Sequence, residues 1–443
     1  MLFSDLNLNT PLLNALNDLN ISKPTTIQEK AFPVIMSGRD MVGIAQTGTG
    51  KTIAYLLPCL RNWKFTKEKY PQIFIVVPTR ELVVQVVEQV EQLTTYMNIR
   101  VGGVYGGVNM IKQAPIILEG LDVLVATPGR LLDFALNGTL KLKSVKRFII
   151  DEVDEMLNLG FRPQLMRVMD LLPKKRQNLM FSATITNELK NFIADFFIDP
   201  LEIEAARTGT PLENIKQIGI KVPNFNTKIN LLEFLLKTEA DFSKVLLFVS
   251  SKKMADDVFE RITEFFPDTV GVIHSNKSQN NRFEALKLFN DNKLRVLIAT
   301  DIVARGLDFD NITHVVNFDM PDEPENYMHR IGRTGRVDKK GVAVTFITND
   351  DAEKRENIQE LMGCKIPVMR MPEEVEVSLV LTDNELPQVQ AGNSVAFVAK
   401  KEEHGPAFHE KKGKNKKVNM KIRRKEALRI KYGKPKTRGQ KIK

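Results

Sequence analysis

The sequence predicts an α/β protein with two tandem parallel-sheet domains and a basic, disordered C-terminal tail. Short apolar runs alternate with helix-compatible segments, the grammar of a parallel sheet covered on both faces. That grammar lapses near residues 205–217 and then restarts. Positive charge gathers at the end of the chain: residues 400–443 hold 18 Lys/Arg and 4 Asp/Glu, whereas residues 1–399 hold 46 and 50.

Taken in order, Leu6, Leu8, Leu12, Leu13, Leu16 and Leu19 recur at roughly helical spacing, with Thr10 read as N-cap and Pro11 as the first helical residue. Pro24-Thr25-Thr26-Ile27-Gln28 turns into a second helix. An apolar run at 41–44 leads into Ala45-Gln46-Thr47-Gly48-Thr49-Gly50-Lys51-Thr52, followed by a helix over 53–60. Strands are expected at 74–77, 123–126, 148–150 and 179–181, and again at 245–249, 270–273, 296–299, 315–318 and 342–347. The expected organisation is therefore a domain over 1–206, a linker over 207–216, a second domain over 217–370, and an extension over 371–443 whose basic tail starts near 400.

Parallel sheets hold ligands outside the C-terminal ends of their strands, and the polar motifs fall there. They read Pro78-Thr79-Arg80-Glu81-Leu82, Thr127-Pro128-Gly129-Arg130, Asp151-Glu152-Val153-Asp154 and Ser182-Ala183-Thr184. The strand–glycine turn–helix at 45–52 is a phosphate loop, because backbone N–H groups and a helix N-terminus face the anion together. Lys51 would reach the outer phosphates and the Thr52 hydroxyl would hold Mg²⁺. Ala45 departs from the generic pattern, which asks for glycine; the acidic strand end at Asp151-Glu152 sustains the nucleoside-triphosphate reading. In the second domain, Arg333 and Arg336 share a face of His329-Arg330-Ile331-Gly332-Arg333-Thr334-Gly335-Arg336, and two guanidiniums so placed suit a triphosphate.

Two cysteines, Cys59 and Cys364, support neither a disulfide framework nor a structural zinc site. No apolar run approaches a membrane span, and the first residues lack a basic leader. A cytoplasmic protein with no membrane contact is expected. The basic tail reads as a disordered polyanion binder.

In order and spacing these motifs resemble those of the DEAD-box RNA helicases over roughly residues 1–370. The likeness includes Gly106-Gly107, Phe248-Val249-Ser250, Gln279-Asn280-Asn281-Arg282, Ala299-Thr300-Asp301 and Arg305-Gly306-Leu307-Asp308. Ala45 is the residue that family carries at the loop's first position. The resemblance implies two RecA-like domains that bind ATP and Mg²⁺, hydrolyse ATP and unwind short RNA duplexes. Phe3 and Gln28 would meet the adenine, Ala45 to Thr52 the phosphates, and Asp308 the ribose. Asp151 would hold Mg²⁺ through water, Glu152 would handle the attacking water, and Arg333 and Arg336 would act as fingers. Asp154, Ser182, Thr184 and His329 would couple hydrolysis to domain closure. Thr79, Arg80, Gly107, Thr127, Arg130, Gln279, Arg282 and Thr300 would contact the RNA backbone without reading bases. None of these motifs carries an aromatic stacking platform. The tail would add an RNA tether, and basic-tailed members of the family point to ribosomal precursor RNA in a bacterial ribosome-assembly setting. An ATP-gated RNA clamp is the alternative the motifs leave open; a DNA-translocating helicase is disfavoured by Pro78 to Leu82 and Thr127 to Arg130. The departures are Val153, where the family name has alanine, and Asn20-Ile21, where glycine and an aromatic are usual; Ser275 after His274 is minor.

Overall fold

The computed structural model describes residues 1–385 except 47, 206–213, 240, 305, 306, 308, 310, 336–339, 383 and 384. Thr47, Asp308, Arg336, most of the expected linker and the basic tail, each given a role above, lie outside the described residues.

The first sheet contains β1 (Met41–Ile44), β2 (Ile73–Val76), β3 (Val101–Val104), β4 (Val123–Ala126), β5 (Arg147–Ile150), β6 (Gln177–Ser182) and β7 (Leu201–Glu204). Their order is β3-β4-β2-β5-β6-β1-β7, with every pairing parallel. The second sheet contains β8 (Ile215–Lys221), β9 (Val245–Val249), β10 (Val270–Ile273), β11 (Val296–Thr300), β12 (His314–Asn317), β13 (Gly341–Ile347) and β14 (Val368–Met369). Its order is β10-β11-β9-β12-β13-β8-β14, again parallel.

Strand alternation explains why both faces are covered. Ile73 and Ile75 of β2 enter one apolar cluster while Phe74 and Val76 enter another. On β9, Val245, Leu247 and Val249 separate in the same way from Leu246 and Phe248. A strand buried on both faces must be continuously apolar, which is what made these runs visible in the sequence.

Some boundaries differ from expectation. Asn9, rather than Thr10, caps the first helix; its side chain accepts from Leu12 N–H at 3.3 Å. The helix after the phosphate loop begins at Lys51 and runs to Arg61. Strands β3, β7, β8 and β14 escape the apolar-run criterion. β3 contains two glycines, and a Cβ on Gly103 would lie 2.7 Å from Val83, so the helix Arg80–Leu93 needs glycine there to approach the sheet. β8 starts at Ile215, inside the expected linker.

The segment 371–382 carries no periodicity, yet it straps along the helix Phe225–Thr238. Side-chain amides hold it: Asn230 donates to the Glu376 carbonyl and Asn224 to that of Ser378, at 2.8 and 2.6 Å. Val375 is buried in the core beneath. An extended strap fixed by amides on its partner leaves no pattern of its own.

His314 on β12 stacks on Phe242 with ring centroids 3.8 Å apart. Burial pushes its pKa from 6.5 down to about 4, against the opposing pull of Asp241. The unfolded chain therefore binds one more proton between those values, so stability should fall as pH drops from 6.5 toward 4, by at most roughly 1.4 kcal/mol per pH unit. Chemical denaturation of wild type and His314→Gln across that range checks this; equal slopes for the two would contradict it.

Candidate functional site: a split nucleotide pocket

The phosphate loop leaves β1, β6 beside it ends in Ser182, and β5 beside β6 leads into Asp151, so the C-terminal end of the sheet collects all three motifs. Gly50 starts the helix with φ 84°, and a Cβ there would lie 2.3 Å from Gln28 Nε2. Only glycine satisfies both conditions. Gln28 and Thr25 bind this loop directly: Gln28 Nε2 donates to the Gly50 carbonyl at 3.1 Å and Thr25 Oγ1 to that of Thr49 at 2.8 Å. Gln28 Oε1 in turn accepts from Thr25 N–H at 2.9 Å. Gln46, Gly48, Thr49 and Thr52 are half-buried or exposed around the loop, and Ala45 is buried beneath it. Phe3 is 3% exposed and packs in the core, while Ile21 lies half-buried against the same cluster.

Lys51 Nζ meets Glu152 Oε2 at 3.0 Å, with both side chains buried. Burial works against the ammonium, but the charges of Glu152, Asp151 and Asp154 outweigh it and raise the Lys51 pKa. Burial, followed by the Glu152 charge, pushes Asp151 up to about 7. A buried carboxyl held so high is a group waiting for a cation, and Thr52 stands one residue beyond Lys51. The donor set therefore fits Mg²⁺. Glu152 has φ 52° and ψ 50°, a left-handed conformation uncommon outside glycine; such strain concentrates at functional sites.

Asp154 is the hub. Its Oδ2 accepts from Ala183 N–H, Thr184 N–H and Thr184 Oγ1, each at 3.0 Å. Ser182 Oγ closes the turn by donating to the Thr184 carbonyl at 2.7 Å. Burial opposes the Asp154 charge, but the His329 and Lys51 charges and these hydrogen bonds lower its pKa. His329 comes from the second domain, with Nε2 4.0 Å from Asp154 and Nδ1 3.8 Å from Glu155 Oε1. Arg333, one turn on, is buried and donates to the carbonyls of His329 and Leu307 at 3.1 and 2.6 Å.

A second bridge joins the domains: Arg282 Nη2 lies 2.8 Å from Glu81 Oε1, both side chains nearly fully buried. Several expected RNA-contacting groups have structural partners. Thr79 caps its helix by accepting from Leu82 N–H at 3.3 Å, and Thr127 Oγ1 accepts from Gly106 N–H at 3.2 Å. Arg130 donates to Gln113 at 2.6 Å and to the Val108 carbonyl at 2.7 Å, holding the glycine loop. Gly107 is exposed with φ 78°, and the Arg80 guanidinium lies over it, 2.2 Å from where a Cβ would be. Gln279 opens the helix Gln279–Asn290, and Thr300 closes β11, 9% exposed.

Three residues were not singled out in the sequence. Tyr55, one turn past Lys51, donates its hydroxyl to Asp151 Oδ2 at 3.1 Å. Glu81 sits inside a motif already quoted. Arg330, 2% exposed, clamps Asp301 with two bonds of 2.6 and 2.7 Å, donates to the Asp319 carbonyl at 2.7 Å and lies over the Phe248 ring at 5.2 Å. The signal for each was its position beside a named residue.

Val153 is fully buried in the apolar cluster behind β5. Val153→Ala should cost roughly 2 kcal/mol of stability by removing buried methyls and opening a cavity, with ATP turnover retained. Thermal melts beside ATPase rates check both halves.

A phosphate loop and acid pair on one sheet, faced by a histidine–arginine helix from another, define a nucleotide hydrolase whose site is split between two domains. Residues 25–192 match the family described as DEAD/DEAH box helicase, and residues 227–338 match the helicase conserved C-terminal domain. The chain belongs to the DEAD/DEAH box helicase family. It is 36% identical over 373 residues to the ATP-dependent RNA helicase DeaD of Buchnera aphidicola, covering 84% of this chain and 61% of that protein. It is 34% identical to the ATP-dependent RNA helicase CshA of Limosilactobacillus reuteri, covering 84% and 74%. Among solved structures it resembles S. cerevisiae Dbp5 bound to RNA and ADP BeF3, with a TM-score of 0.76, 29% identity, and coverage of 84% and 95%. No described helix is long and apolar enough to cross a membrane.

Proposed function

We propose that this protein is an ATP-dependent RNA helicase that locally separates short RNA duplexes or remodels RNA–protein complexes. The observation that carries the reading is Asp154: one carboxylate gathers Ser182-Ala183-Thr184 and faces His329 of the other domain, next to Lys51 and Glu152. A change of charge at the nucleotide thus reaches the domain interface through one side chain. The relatives' names, and the RNA and nucleotide analogue in the Dbp5 structure, support it.

In this account Gln28 reads the adenine edge, which a side-chain amide can do with a donor and an acceptor in one plane. Lys51 leaves Glu152 for the outer phosphates, freeing that carboxylate for the attacking water. Mg²⁺ would be held by Thr52 and, through water, by Asp151, and would neutralise charge on the phosphates. Tyr55 orients the Asp151 carboxylate. Arg333 and Arg336 stabilise charge on the transferred group from the second domain, and Asp308 meets the ribose. Arg80, Gly107, Gln279 and Thr300 meet RNA phosphates, with Thr79, Thr127 and Arg130 shaping that surface; Arg282 acts by locking onto Glu81 when the domains close. The basic tail tethers structured RNA, and a cytoplasmic setting accords with two free thiols.

Release of a labelled strand from a short duplex tests this. ATP should drive release, and a single closure with ADP-beryllium fluoride should release one round. Tight RNA retention without strand release would instead make the protein an ATP-gated clamp, the reading that the buried Arg282–Glu81 bridge favours.

A further inference from the structure

The opposite end of the first sheet carries a feature that the nucleotide and RNA motifs do not use. Segment 62–72 runs into the start of β2 and segment 141–146 into the start of β5, its neighbour in the sheet. Both therefore sit at the strands' N-terminal ends, away from the phosphate loop. Together, residues 61–70 and 141–147 hold eight Lys/Arg and one Asp/Glu, while the remainder of residues 1–399 holds 38 and 49. This is a concentrated positive field on an otherwise acidic body.

Aromatic rings are interleaved with those cations. Lys143 and Lys141 lie over the Tyr70 ring at 4.9 and 5.8 Å from its centroid. Phe65 is 68% exposed and meets Trp63 edge-on, with centroids 6.5 Å apart. The acid, Glu68, is occupied by the Ser144 hydroxyl at 2.5 Å. The loop is also pinned: Arg100 donates to the Glu68 carbonyl at 3.0 Å, Gln72 to that of Lys64 at 2.9 Å, and Leu121 N–H to that of Lys69 at 3.2 Å. Two ammoniums gathered on one ring attract an anion, and the exposed Phe65 ring, five residues before Tyr70 in the same segment, offers a face to a base.

We propose that this end of the first domain is a second, sequence-tolerant binding surface for single-stranded RNA, with lysines on the phosphates and Phe65 stacked on a base. It rests on the RNA-helicase reading. The surface would hold the single strand flanking a duplex while the cleft works on the duplex itself.

The test compares full-length wild type, Phe65→Ala, and a K67Q/K69Q/K141Q/K143Q variant in binding oligouridylates of about 10 and about 40 nucleotides, lengths chosen to fill the cleft alone or to extend beyond it. Affinity for the long strand should fall about ten-fold in Phe65→Ala. In the lysine variant the dependence of log affinity on log salt should become shallower by about 3, as expected for four phosphates. Short-strand binding, the maximal RNA-stimulated ATPase rate and the melting temperature should stay at wild-type values. Photocrosslinks from 4-thiouridine in the long strand to wild type should map to residues 63–70. Long-strand affinity unchanged in both variants, or crosslinks confined to the cleft, would overturn the inference while wild-type RNA-stimulated ATPase persists. Loss of that stimulation in wild type would fail the underlying reading instead.

Discussion

Glu152→Gln should lower ATP turnover by about 10³ or more while nucleotide binding survives. The amide keeps the shape of the side chain and its left-handed backbone, but it cannot accept a proton from water, and Lys51 loses the partner 3.0 Å away. Because the Glu152 charge helps raise Asp151, its removal should also bring that carboxyl down, leaving the cation site intact. Single-turnover hydrolysis beside equilibrium nucleotide binding separates the two quantities. Turnover within ten-fold of wild type would move the proton-accepting role elsewhere.

Arg330→Ala should cost about 3–5 kcal/mol, and the cost should fall on the second domain. Its guanidinium satisfies Asp301, the Asp319 carbonyl and Asn317 in a nearly sealed site, and truncation leaves a carboxylate that was built for a partner. The domains can be followed separately: Trp63 is the single tryptophan and lies in the first. In urea, circular dichroism amplitude from the second domain should therefore be lost ahead of the change in tryptophan fluorescence. Coincident transitions at wild-type denaturant would contradict a structural clamp. RNA-stimulated turnover should fall with it, since His329 and Arg333 ride on the same helix and turn.

Much of this site was legible because its chemistry is local. The phosphate loop, the acidic strand end and Ser182-Ala183-Thr184 each lie within a few residues, at the ends of apolar strands that announce themselves. What stayed hidden depends on folding distant segments together. Arg282 reads as an RNA contact, and nothing marks Glu81, 201 positions away, as its partner, yet the fold joins them in one buried ion pair. Arg130 reads as an RNA contact, yet its guanidinium is held by Gln113 and the Val108 carbonyl. Arg330, one of three arginines in eight residues, is indistinguishable in sequence from its neighbours; only the position of Asp301 assigns it to the core. Thr10 looked like a cap because it precedes proline, but Asn9 has the side chain in the right place. The glycines of β3 and the strap at 371–382 lack periodic apolar residues, so no pattern marked them.

Steady-state ATP hydrolysis of the wild type, measured alone, with single-stranded RNA and with DNA of matched sequence, decides whether RNA drives closure of the site. A site split across two domains, with Asp154 facing His329 at the interface, should turn over slowly until RNA draws the domains together, and DNA should stimulate far less. Equal rates in all three conditions would mean that closure does not depend on RNA and would contradict the account.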